Sequence, residues 1–213
     1  MRSAADSPHG PAMPKGAGID DGRSALTEDA PRDGGRGSPT EVKVEILDLV
    51  DESGRVVGRA TREECHADPS RAHRAVHVFV RDSTGAIFLQ KRAKTKRIQP
   101  GRWDTSVGGH LESGEGYEQG AARELLEEIG LSLDDAGGAD ALRRLHDYVW
   151  RSPVETEHVR TYELVHDGPF RLQREEIDEG RFWTLDELRA AAGTGALTPN
   201  LEEELRRIGI LDG

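Results

Sequence analysis

Three glutamates stand in the order Glu124-x-x-Glu127-Glu128 within the stretch Tyr117 to Ile129. At about 100° per residue, with Glu124 set at 0°, Glu127 falls near about 300° and Glu128 near about 40°, so a helix would gather these carboxylates on one arc. On the same wheel Leu125, Ile129, Ala122 and Leu126 fall near about 100°, 140°, 160° and 200°, an apolar stripe opposite the acids. Like charges at this spacing repel by roughly 0.2–0.5 kcal/mol per pair, a conflict that a divalent cation removes. Mg²⁺ takes oxygen ligands, commonly one or two carboxylates together with waters and substrate phosphate oxygens. The pattern would thus suit a Mg²⁺ site, with Mn²⁺ as a substitute, serving a phosphate-bearing substrate. Taken alone, Glu-x-x-Glu-Glu is also the pattern of an ordinary solvated helix face. The flanking residues separate the two readings.

Gly109, Glu115, Arg123, Glu124, Leu125, Glu127, Glu128, Gly130 and Leu131 fit without departure the pattern G-x5-E-x7-R-E-U-x-E-E-x-G-U, where U is a bulky aliphatic residue. This is the Nudix box, and through it the chain resembles the Nudix hydrolase family. The resemblance implies an α/β fold, an α/β/α sandwich with a mixed sheet and a loop-helix-loop catalytic motif. It implies that Glu124, Glu127 and Glu128 hold the metal and carry the catalysis. Glu115 and Arg123 would form a structural ion pair, with Gly109 and Gly130 as structural positions of the motif. Arg181 to Leu188 resembles the family's strand-then-helix ending. The expected reaction is cleavage of a diphosphate linkage in a nucleoside-diphosphate-type or related small molecule. Metal ions that clamp the diphosphate oxygens stabilise the developing charge and acidify water. A carboxylate then takes the proton. Glu127 and Glu128 are both open as that base, and Glu157 is the candidate if the base lies outside the box.

A second resemblance lies upstream. Glu64 to Ala75, Lys91 to Lys96, Pro100 to Trp103 and Ser106 to His110 are similar to isopentenyl-diphosphate isomerase, a divergent Nudix relative. That similarity implies a second divalent-metal site built from His66, His73, His110, Glu155 and Glu157, chemically sound ligands for a transition metal or zinc. It also places Arg92 and Lys96 at diphosphate-contacting positions, where a guanidinium and an ammonium suit phosphate. The chain departs from the isomerase at Gly108, where that enzyme carries a catalytic cysteine. The one cysteine of this chain, Cys65, lies elsewhere in the pattern. An isomerase-like enzyme and a non-catalytic sensor of a diphosphate ligand stand as the alternatives to hydrolysis. Trp103 is read as core beside the active-site loop rather than as a stacking platform.

The elements that would position these groups can be read from the same text. Val42, Val44, Ile46 and Leu47 suggest a strand, with Asp51 to Gly54 as a turn before Val56 and Val57. His73 to Arg81 and Ala86 to Lys91 read as strands joined by a hairpin turn at Asp82 to Gly85. Tyr117 to Ile129 is the central helix, stopped by Gly130. Asp147 to Arg151 and Arg160 to His166 suggest an antiparallel pair. Thr184 caps a helix over Leu185 to Ala192, and Thr198-Pro199 opens another through Ile208.

Composition sets the outer bounds. The chain has 213 residues, a formal net charge of -11 and one cysteine. The charge argues against nucleic acid or an anionic membrane as partner, and a lone cysteine excludes an intrachain disulfide and a Cys-rich zinc site. The text carries neither a membrane span nor a secretory leader, which predicts a cytoplasmic protein with a small-molecule diphosphate as its partner. A homodimer is compatible with these features but not derivable from them. Residues 1–40 hold five of the ten prolines with no apolar period, and are expected to be a disordered N-terminal extension. Residues 41–213 would form the Nudix hydrolase domain.

Overall fold

The computed structural model describes residues 44–212. The extension over 1–40, and the first strand's expected start at Val42, lie outside the described residues. From the N-terminal side the elements are β1 (Ile46–Val50), β2 (Val56–Thr61), α1 (Arg62–Ala67), β3 (His73–Arg81), β4 (Ile87–Arg92), β5 (Trp103–Asp104) and β6 (Val107–His110). They continue with α2 (Tyr117–Ile129), β7 (Arg143–Arg151), β8 (Thr156–Val165), β9 (Ile177–Trp183), α3 (Leu185–Ala191) and α4 (Pro199–Arg207).

The near-continuous apolar run of β3 marks a strand buried on both faces. Along one edge it pairs in parallel with β8, from His73 opposite Glu157 to Arg81 opposite Val165. Three antiparallel partners share its other edge: β1 at His73, β6 from Ala75 to Val78, and β4 at Val80 and Arg81. β9 and β5 extend the sheet from β4, β7 pairs with β8, and β2 pairs with β1. Alternate residues of β3 serve opposite layers. Val76, Val78 and Val80 pack with Leu125 and Ile129 of α2, whereas Phe79 packs with Leu188 of α3 and Leu201 and Leu205 of α4. The molecule is an α/β/α sandwich around a mixed sheet. Each fully buried Leu or Phe in these two layers contributes roughly 1.5–3 kcal/mol of transfer free energy.

Local signals set the element ends. Gly130 takes the left-handed conformation (φ 69°) at the end of α2, where its N–H donates to the Leu125 and Leu126 carbonyls; glycine adopts this geometry without a Cβ penalty. Thr184 and Glu187 form a reciprocal capping box on α3, and Thr198 caps α4 ahead of Pro199. The helix α1 has no apolar period to announce it. Its start rests on the Thr61–Glu64 capping box, a legible signal that the isomerase-like motif overshadows. The hairpin turn forms as expected, with Asp82 Oδ1 accepting from the N–H groups of Thr84 and Ala86 at 2.9 Å each.

One expectation for α2 needs correction. The buried residues are Gly120, Ala121, Leu125, Glu128 and Ile129, while Leu126 is 51% exposed. On the wheel the buried arc centres near about 65° rather than about 150°, turned toward the acids. Gly108 N and Gln90 bind Glu128 under the protein's surface, and Leu126 faces solvent. Among the described residues no helix is long and apolar enough to cross a membrane.

Candidate active site

The loop before α2 is fastened to the sheet by Asp48, which accepts from Ser113 Oγ at 2.7 Å, Gly114 N at 2.9 Å and Arg74 Nη2 at 3.0 Å. Arg123 fastens it to the helix. Its Nε and Nη2 donate to the two oxygens of Glu115 at 3.0 and 2.9 Å, and Nη2 also donates to the His110 carbonyl at 3.0 Å. Its Nη1 reaches Glu124 at 2.7 Å and Glu127 at 3.2 Å. The Glu115–Arg123 pair thus ties the loop against the helix and orders two of the box carboxylates.

The three carboxylates occupy different environments. Glu127 is half exposed. Glu124 lies largely buried against Gly109, and burial pushes its carboxyl up despite the adjoining Arg123. Glu128 is buried, and its Oε2 accepts from Gln90 Nε2 at 3.0 Å and Gly108 N at 3.1 Å. Burial first, and the charge of Glu124 second, raise its pKa to about 8. Neither of its two donors is a cation, so the buried charge lacks full compensation. Oxygen donors in this state fit a hard divalent cation such as Mg²⁺.

On the other side of β6, His66 from α1, His73 from β3 and His110 from β6 stand with ring centroids 4.9–6.0 Å apart. Glu157 is brought to them by the β3–β8 register, which sets it opposite His73. Its Oε1 is 3.2 Å from His110 Nε2 and 3.9 Å from His73 Nε2, while Glu155 Oε2 is 3.2 Å from His66 Nε2. Burial acts to raise Glu157, but the hydrogen bond and charge of His110 prevail and hold it at about 2. His110 in turn is raised to about 9 against its burial, by Glu157 and Glu45. Burial depresses His66 to about 4 and also lowers His73. The Nε2 atoms of both are buried and have no hydrogen-bond partner among the described residues. Orphaned imidazole nitrogens facing carboxylate oxygens fit a divalent metal.

Both groups border one cleft of about 410 Å³. Arg92 and Lys96 line it, as their sequence positions suggest, but each already holds a carboxylate. Arg92 donates to Asp104 at 3.1 Å and to the Ile98 carbonyl at 3.1 Å, and Lys96 pairs with Glu176. Burial, then the charges of Arg92 and Arg62, lower the Lys96 ammonium to about 8. Gly108 forms part of the floor, and a Cβ there would come within 2.8 Å of the His77 ring. Cys65 is fully buried in a separate small cluster with Leu47 and Ala60. Trp103 packs on Trp183 with centroids 5.1 Å apart, in the α3/α4 layer.

Sequence reading missed four contributors: Glu45, which contacts His110 Nδ1 at 3.3 Å, Gln90, Asp104, and the buried pair His77–Glu204. Signals existed for two of these sites. Gln90 interrupts the apolar run Ile87-Phe88-Leu89, and Glu204 sits between Leu201 and Leu205 on the buried face of α4.

Comparison with known proteins agrees with this architecture. The family model for the NUDIX domain matches residues 71–201. An uncharacterized Nudix hydrolase of Yersinia pestis is 34% identical over 151 residues, covering 69% of this chain and 77% of its own. An isopentenyl-diphosphate Delta-isomerase of Streptomyces avermitilis is 36% identical over 143 residues, 67% of this chain and 73% of that one. A crystal structure from Deinococcus radiodurans superposes with a TM-score of 0.63 at 33% identity, covering 76% of this chain and 98% of the other. With the box loop, its helix and the surrounding sandwich in place, the chain belongs to the Nudix hydrolase family.

Proposed function

We propose that the protein is a Mg²⁺-dependent pyrophosphohydrolase, with Mn²⁺ as a substitute, that cleaves a diphosphate linkage in a nucleoside-diphosphate-type or related small molecule. The observation that carries this reading is the set Glu124, Glu127 and Glu128 gathered at one cleft, with Glu128 buried and without a cation partner. A bound divalent ion would neutralise diphosphate charge and acidify water. Glu124, Glu127 and Glu128 are the residues that would hold it. Arg123 holds Glu124 and Glu127 in orientation through its Nη1. Gln90 and the Gly108 amide fix the Glu128 carboxylate. Glu127, being half exposed, is the member best placed to exchange a proton with solvent. Arg92 and Lys96 supply positive charge at the cleft wall for the substrate phosphates, on the condition that they reorient from Asp104 and Glu176.

Isomerisation of an isoprenoid diphosphate is the second reading. The His66, His73, His110, Glu155 and Glu157 cluster favours it, as do relatives that carry the isomerase name. Against it stands Gly108, which offers no thiol for proton transfer, and where even a Cβ would press on His77.

The test is Mg²⁺-dependent phosphate release, coupled to a phosphatase, over nucleoside, sugar-nucleotide, dinucleotide and isoprenoid diphosphates, with Glu127→Gln as control. Release from one group that is lost in the control supports hydrolysis and names the substrate class. Silence throughout, together with conversion of isopentenyl diphosphate to its allylic isomer, would replace it with the second reading.

A further inference from the structure

Beneath Gly108, on the α4 side of the sheet, lies a buried polar pair that the metal-ligating groups do not include. His77 on β3 is 6% exposed, and its Nδ1 is 3.0 Å from Oε2 of Glu204, a fully buried acid on α4. Thr161 on β8 donates to the other oxygen, Oε1, at 2.5 Å. One nitrogen of His77 is therefore anchored from below. The other, Nε2, has no hydrogen-bond partner among the described residues, and His77 lines the same cleft as the box carboxylates.

Gly108 is what uncovers this ring. The two residues are paired across β3 and β6, and a Cβ at 108 would lie 2.8 Å from Cδ2 and 3.2 Å from Nε2 of His77. Any side chain at 108 would displace the imidazole or roof it over. The absence of one leaves Nε2 at the cleft floor.

The electrostatic setting makes the ring a hydrogen-bond donor. Burial works against its charge, but Glu204 from α4, Glu157 from β8 and Asp104 from β5 raise its pKa to about 9, while His146 from β7 is a neighbouring imidazole. At the cleft Arg62 is engaged by Glu45, Arg92 by Asp104, Lys96 by Glu176, Arg123 by Glu115, and His110 by Glu157 and Glu45. The carboxylate that engages His77, Glu204, is fully buried and meets Nδ1, so that the anchor does not compete for Nε2.

We propose that His77 contacts the substrate, donating from Nε2 to a diphosphate oxygen, and that Glu204 is the positioning residue that holds it in this orientation. The assignment rests on the diphosphate reading above. The probe is imidodiphosphate, a non-hydrolysable diphosphate, titrated calorimetrically with Mg²⁺ into wild type, His77→Gln and Glu204→Gln. Loss of a charge-assisted hydrogen bond should weaken binding to His77→Gln about tenfold or more. In Glu204→Gln the affinity should hold at acid pH and fall away nearer neutrality than in wild type, a shift that a merely structural role would not produce. A crystal structure of the wild type with Mg²⁺ and imidodiphosphate is independent of how the variants fold, and should place a phosphate oxygen within about 3.2 Å of Nε2. Unchanged affinity in His77→Gln, a phosphate remote from Nε2, or no binding to wild type would overturn the assignment. Turnover of a panel compound with His77→Gln unaltered in affinity and KM would defeat it while leaving the hydrolase standing. His77-dependent binding without turnover of any panel compound would do the reverse.

Discussion

Gly109 and Glu124 approach so closely that a Cβ at 109 would lie 2.0 Å from Oε1 and 2.3 Å from Cδ of Glu124. The glycine of the box is thus a spatial requirement of the carboxylate beside it. Gly109→Ala should fold, because the obstructing atoms are the far end of one side chain, but it should swing Glu124 out of place. Mg²⁺ affinity by calorimetry should fall about tenfold or more, at a stability cost of about 1–3 kcal/mol from overpacking. Unaltered Mg²⁺ affinity would show that Glu124 does not bind the ion.

Arg123 joins the loop to the helix and bridges to two box carboxylates. Arg123→Ala leaves Glu115 and Glu124, both largely buried, without their guanidinium. Breaking one side of such a network should cost about 2–4 kcal/mol in a denaturant melt. Arg123→Lys should recover only part of it, since an ammonium cannot make the bidentate contact with Glu115. Equal stability of wild type and Arg123→Ala would remove the structural role.

The orphaned Nε2 atoms of His66 and His73 predict a tightly held divalent ion. Elemental analysis of purified protein should find close to one equivalent of transition metal or zinc, lost in His110→Ala. Chelation should lower the melting temperature in wild type and leave that variant unmoved. Metal-free protein whose melting is indifferent to added Zn²⁺ or Mn²⁺ would eliminate the second site.

The His77–Glu204 pair sets the sign of a pH effect on stability. A histidine whose folded pKa is raised from 6.5 to about 9 contributes fully below pH 6.5, and its contribution is lost as pH rises through about 9. The melting temperature of wild type should fall across that window, and His77→Gln should show a flatter profile. Parallel profiles would show that the pair adds no stability.

Periodicity and punctuation made much of the framework legible: β3, its hairpin, α2 with its glycine stop, and the threonine-capped helices α3 and α4. These depend on interactions within a few residues, which the sequence displays directly. The elements it hid are short. β5 has two residues and β6 four, too few for a period, and both are strands because β3 and β4 already present free edges to them. The exposure of Leu126 and burial of Glu128 were hidden for a related reason. A helical wheel orders residues around an axis but does not say how the helix is rolled against its sheet.

The sequence by itself determined the box and its three glutamates on one helical arc, and the resemblance that the box carries implied the family and the Glu115–Arg123 pair. Nine residue types at fixed spacing, and a helix of known pitch, suffice for these. Only the tertiary structure decided that His73 meets Glu157 across the parallel β3–β8 ladder, that Arg92 and Lys96 come to the cleft already paired, and that Glu204 reaches His77 from 127 residues away. Those contacts depend on strand register and layer packing, set by burial of the whole core rather than by any local run of residues.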